Sequence, residues 1–212
     1  MNTEKMTVHK ALAELKIIDS RISNAMRERN FVVANKHSNA KINGIGVSEF
    51  CEQIKSAFQK TNDLIARRNA MKRAVVLSNA RTEVTIGGKV YTVAEAIDMK
   101  NHGVELLADM VNKMRTDYMN AQRAADVENR SLDNRADEHV KNLYSGSDTK
   151  NPSEEMKKTR AEFMASQVVE LVDPLKIKEE IDKLSAEIDA FMVEVDAALS
   201  VSNAVTQIEF SY

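Results

Sequence analysis

The sequence predicts a mainly α fold, an elongated antiparallel helical bundle or coiled coil with one small β-hairpin, which the C-terminal tail would extend to three strands. Three observations carry this. Apolar residues recur at alternating intervals of three and four along several long stretches, the spacing that lays one stripe down a helix and, when sustained, makes a coiled-coil seam. Only two prolines, Pro152 and Pro174, interrupt the 212 residues. One β-branched stretch is centred on Gly87-Gly88, the residue pair a two-residue hairpin turn favours.

The segments fall in order as residues 1–80, an N-terminal helical hairpin; 81–93, the β-hairpin; 94–152, a long helix and a projecting region; and 153–212, C-terminal helices and a tail strand. The first helix is expected over residues 3–30, with its stripe on Val8, Leu12, Leu15, Ile18 or Asp19, Ile22 and Met26. Residues 35–47 are polar, contain Gly44 and Gly46, and read as a loop. Ser48 is placed to cap a second helix reaching Ser78. Its seam, Phe50, Ile54, Ala57, Thr61, Leu64, Arg68, Met71 and Val75, holds heptad spacing. Single cysteine Cys51 is expected to be a small buried hydrophobe on this helix, within a reducing compartment.

After the ribbon, Thr92 and Glu95 have capping-box spacing and open the next helix, over residues 93–144, with a break expected at Asn101-His102-Gly103. Its seam is Val104, Leu107, Val111, Met114, Tyr118, Ala121 and Ala125. Beyond Ala125 the same phase meets Glu128, Leu132, Arg135 and His139, so the stripe fades and this region is expected to project toward a partner. Residues 144–153 are a polar break, followed by a helix over 153–172 carrying Met156, Phe163, Met164, Val168 and Leu171. Asp173-Pro174 starts the last helix, with its seam on Ile177, Ile181, Leu184, Ile188, Phe191, Val195, Ala198 and Ser202. The tail alternates, with Thr206, Ile208 and Phe210 on one face, and is expected to join the 82–93 ribbon as a third strand.

Chemistry is sparse in this pattern. His9, His37, His102 and His139 are scattered without metal-ligand spacing, and no phosphate loop, nucleophile–base pair or flanking pair of carboxylates is recognisable. The expectation is therefore no catalytic residue, no cofactor and no metal. A formal net charge of -2 gives no case for whole-molecule attraction to nucleic acid or membrane. No apolar run is long enough to span a bilayer, and residues 1–15 lack the apolar centre of a signal peptide, so no transmembrane association is expected.

The strongest charge feature is Arg67, Arg68, Lys72 and Arg73, with Lys55, Lys60 and Arg81 nearby. The last helix is acidic, with Glu179, Glu180, Asp182, Glu187, Asp189, Glu194 and Asp196. Two flanks of opposite sign are expected to lie beside each other within a bundle or between subunits. A nucleic-acid face on residues 55–81 is the alternative, without the aromatic platform that single strands favour. With Arg67, Arg68, Lys72 and Arg73, the candidate interaction residues are Leu132 and Phe163, in the region expected to contact a partner.

Three segments carry a resemblance: ALAELKIIDSRISNAM, KTNDLIARRNAMKRAVVLSNA, and the C-terminal LKIKEEIDKLSAEIDAFMVEVDAALSVSNAVTQIEF with its Asn203-x-x-Thr206 ending. They resemble a family of bacterial and phage-encoded coiled-coil proteins, some named septicolysin. The resemblance touches about half of the chain, at both ends, and residues 102–152 depart from it as an extended insertion. The near-neutral charge and long apolar seams fit a structural or assembly protein made in the cytoplasm; the resemblance adds a phage origin, and with it a place in a virion as a connector, tail or capsid-associated component. Its partners would be further copies of the chain or other proteins of a large assembly. The family name also implies a membrane-active cytolysin. Against that, an interfacial helix presents a broad apolar face with basic flanks, and the last helix here is acidic.

Overall fold

A computed structural model describes residues 2–145 and 152–212 and shows a mainly α protein with antiparallel two-stranded sheets. Strand β1 (Thr3–Thr7) leads into helix α1 (Val8–Arg27), whose start is fixed by the Thr7 hydroxyl accepting from the Lys10 amide. Strands β2 (Lys41–Ile42) and β3 (Ile45–Gly46) form a short hairpin inside the segment expected to be a loop. Its turn is Asn43-Gly44, both with positive φ, the pairing that suits a tight hairpin. Helix α2 (Val47–Asn79) starts one residue before Ser48, with Gly46 at the cap position and no side-chain cap bond.

Strands β4 (Glu83–Ile86) and β5 (Lys89–Thr92) form the Gly87-Gly88 hairpin, both glycines at positive φ. The Thr92–Glu95 capping box is formed in both directions and opens α3 (Val93–Asp98). A π-helical turn, Met99–Gly103, occupies the break expected at 101–103. Then follow α4 (Val104–Arg130), α5 (Leu132–Leu143), α6 (Glu154–Gln167), α7 (Ile177–Val205) and strand β6 (Gln207–Ser211). Most of the polar break expected at 144–153 lies outside the described residues. Helix α6 stops at Gln167, five residues short of expectation, and Val168 turns to extended backbone.

The tail is a strand, as its alternation predicts, but its partner is different. It pairs antiparallel with β1, from Thr3 opposite Ser211 to Thr7 opposite Gln207, and the 82–93 ribbon stays two-stranded. Residues 3–7 are thus a strand instead of the first turn of the first helix. Met6 is buried from one side of the new ribbon, and Ile208 and Phe210 from the other strand.

The chain divides into two compact units that do not follow the sequential segments. Unit 1 contains residues 1–103 and 190–212; unit 2 contains 104–189. In unit 1, α1 and α2 run antiparallel, and Met6, Val8, Ala11, Met71, Val75, Ile208 and Phe210 form one buried cluster. Each position of the heptad read on α2, from Phe50 to Val75, is buried or half-buried. On α1 the choice between Ile18 and Asp19 goes to Ile18, and Ala25 is buried in place of Met26. Cys51, expected to be buried, is exposed, because it lies beside the seam residue Phe50 and not in the stripe.

In unit 2, Val111 and Met114 of α4 cluster with Ile181 of α7, flanked by Ile177, Leu184 and Ile188. The stripe that fades after Ala125 returns in a new phase. The helix breaks at Ser131, and α5 buries Leu132, Ala136 and Val140, one residue per turn. Helix α6 packs antiparallel on α5, so residues 132–143 have a helical neighbour within this unit.

Candidate interaction surfaces

Arg67 lies on the face of α2 that meets β1 and α1. Its Nε and Nη2 donate to the two oxygens of Glu4 at 2.7 and 2.9 Å, the two-pronged geometry in which guanidinium and carboxylate match best. Nη1 reaches Glu14 at 3.2 Å, and the Tyr212 hydroxyl donates to Glu4 at 2.7 Å. Arg67 and Tyr212 together hold the Glu4 carboxyl down to about 2 against an ordinary 4.5, the arginine hydrogen bond being the larger cause. Tyr212 is pushed up in turn, mainly by its bond to Glu4, since losing that proton would leave an anion beside the carboxylate.

Its neighbours on α2 are spent in similar ways. Arg68 donates to Asp19 at 2.6 Å, Lys60 meets Glu28 at 2.7 Å, and Lys55 meets Glu52 in its own helix. The acids facing this basic flank come from β1 and α1, not from the last helix. Of the α7 acids, Glu194 accepts from the Gly87 amide at 2.7 Å and Asp196 pairs with Lys100. Antiparallel packing of α1 on α2 accounts for this, because it sets Glu28 at the end of α1 beside Lys60, and Glu14 and Asp19 further back beside Arg67 and Arg68. Lys72 and Arg73 remain exposed, without an acidic partner among the described residues.

Leu132 and Phe163 are not brought together with that basic face. Leu132 is buried within unit 2. Phe163 is half-buried and stacks on His139 across α5 and α6, with ring centroids 4.4 Å apart and planes 25° apart. Arg160 of α6 forks to Asp133 and Asp137 of α5, both at 2.7 Å. These contacts join α5 to α6, so the two residues expected to face a partner serve internal packing.

Sequence reasoning missed the outward face of α7. Val193, Val201 and Val205 are 80, 64 and 70% exposed, and Ala197 completes the i, i+4 series on the side away from Phe191 and Val195. The signal lies in that spacing, but the heptad two residues out of phase with it is stronger. On α2 the exposed apolar residues Val76 and Leu77 follow Lys72 and Arg73 by one turn. On α4, Leu106 and Met110 are exposed beside Glu105 and Asp109.

No group of histidine, cysteine or carboxylate residues with the arrangement of a metal site occurs among the described residues. None of the described helices is long and apolar enough to cross a membrane. The grooves are open: one is lined by Gln59, Asp63, Arg67 and Tyr212, another by Asp137, Val140, Met156 and Arg160. The arrangement defines a class, a mainly α protein in which Arg67, Arg68 and Arg160 are held in ion pairs between elements and several helices keep apolar residues on outward faces. No protein-family model, curated protein or solved structure matches the chain.

Proposed function

We propose that this is a non-enzymatic structural or assembly protein, made in the cytoplasm and built into a phage virion as a connector, tail or capsid-associated component. The observation that carries the assembly reading is the double face of α7. One stripe, Phe191, Val195 and Ser202, is buried in its own unit, while Val193, Ala197, Val201 and Val205 form a second stripe facing outward. Helices with apolar residues on two sides are normally covered on both, and contiguous exposed apolar surface marks sites of association. The virion reading rests on the resemblance of the two ends of the chain to phage-encoded coiled-coil proteins.

Light scattering of the full-length chain over a range of concentrations tests it. The expected result is a mass above that of one chain, reduced by Val193→Asp with Val201→Asp, both exposed and so compatible with folding. A wild-type chain that keeps the mass of one copy at every concentration would sink the self-assembly reading.

A further inference from the structure

Two exposed helical patches of opposite charge on this chain each combine two charged and two apolar residues. On α2, Lys72, Arg73, Val76 and Leu77 occupy positions i, i+1, i+4 and i+5, all exposed. On α4, Glu105, Leu106, Asp109 and Met110 are likewise exposed over four such positions. Here the charges are one turn apart, so the charged pair runs along α4 and across α2, and facing the two pairs requires the helices to cross. Each patch is two neighbouring columns on one helix face, a single turn long. Neither pair of charges has a partner among the described residues, although the cations just before them on α2 do. The units that carry them are charged in the matching sense. Unit 1 has 17 Lys and Arg against 13 Asp and Glu, and unit 2 has 13 against 19.

We infer that the α2 patch of one copy docks on the α4 patch of a second copy, Lys72 and Arg73 meeting Glu105 and Asp109 around a contact of Val76 and Leu77 with Leu106 and Met110. This rests on the assembly reading above and names its partner. Charge complementarity decides the occupant. A self-paired α2 or α4 patch would set like charges face to face, whereas the crossed pairing cancels them. Long lysine and arginine side chains lay their stems along apolar residues while their charged ends reach the acids. Made twice about a two-fold axis, the contact closes a dimer; made head to tail, it closes into a ring or continues as a filament. The patch is smaller than the ~1,200 Å² of a standard stable interface, which makes the contact dependent on concentration and salt.

Sedimentation of the full-length chain in low and high salt, with charge-reversed variants, tests this. The double variant Lys72→Glu, Arg73→Glu should weaken self-association by about tenfold or more, and Glu105→Lys, Asp109→Lys should do the same. Mixing the two variants should restore association between them, since each supplies the charge the other now needs. Circular dichroism checks that each variant keeps its helices. Self-association that is indifferent to both variants overturns this contact and leaves the assembly reading standing; a wild-type chain that never self-associates overturns both. Binding of a polynucleotide in low salt, lost in the Lys72, Arg73 variant and without self-association, overturns the contact in favour of a nucleic-acid face.

Discussion

Glu4 shows how one residue ties three distant parts of the sequence together. Arg67 of α2 and Tyr212 near the C-terminus both donate to its carboxylate. The folded-state pKa of about 2 lies below the ordinary 4.5, so between those values the unfolded chain binds more protons than the folded one. Stability from this group is therefore fully present above pH 4.5 and is lost as pH falls toward 2. Arg67 is 17% exposed and Glu4 27%, so water screens part of the attraction and the contribution is about 1–3 kcal/mol. Urea unfolding across that window should show Glu4→Gln flattening the dependence on pH. Arg67→Ala, which strips Glu4 and Glu14 of a common partner, should cost about 2 kcal/mol at pH 7. An unchanged pH dependence in Glu4→Gln would show that another carboxylate governs it.

Among the elements, the helices were largely legible because a buried stripe repeats locally, and repetition is what a sequence displays. The heptads on α2 and α7 and the Thr92–Glu95 box needed no information from elsewhere in the chain. Legibility failed where the decisive contact is remote or the phase resets. Glu128, Leu132, Arg135 and His139 looked like a decaying seam only because the break at Ser131 is invisible to periodicity; counting again from Leu132 gives Leu132, Ala136 and Val140. The Asn43-Gly44 hairpin carried its signal openly and was hidden by the polar residues around it.

The end of α6 depends on a contact of the remote kind. Asn129 donates from Nδ2 to the Val169 carbonyl at 2.8 Å and accepts from the Val169 amide at 2.9 Å, holding an extended residue as a neighbouring strand would. Asn129→Ala should cost about 1–2 kcal/mol for the two bonds. It should also speed proteolysis within residues 168–176, where Val172 and Leu175 are exposed. An unaltered cleavage rate would mean that the capping bond from the Val168 amide to the Met164 carbonyl is enough to hold the segment.

For the whole molecule, the decisive fact is that unit 1 is assembled from both ends of the chain. The candidate site was legible only in part for the same reason: Arg67 and Arg68 stood out as cations, but the acids that neutralise them follow from how α1 folds back on α2. The tail announced itself as a strand through Ile208 and Phe210, while its partner, Thr3–Thr7, offered only Met6 as an apolar residue and adjoined a strong helical stripe. Closing β1 on β6 places both tail residues in the cluster with Val8, Met71 and Val75. Phe210→Ala should thus cost about 3–5 kcal/mol, as expected for a buried aromatic ring. Removing residues 207–212 should do more, since β1 also loses every ladder bond and Glu4 loses Tyr212. Hydrogen exchange locates the damage. Protection should fall across residues 3–27 and 67–75, about 130 to 200 positions away in sequence, while Val111, Met114 and Ile181 keep theirs because unit 2 has its own cluster. Equal loss in both units would show that they unfold as one; loss confined to the last turn of α7 would show that β6 is an ornament on a fold that α1 and α2 complete alone.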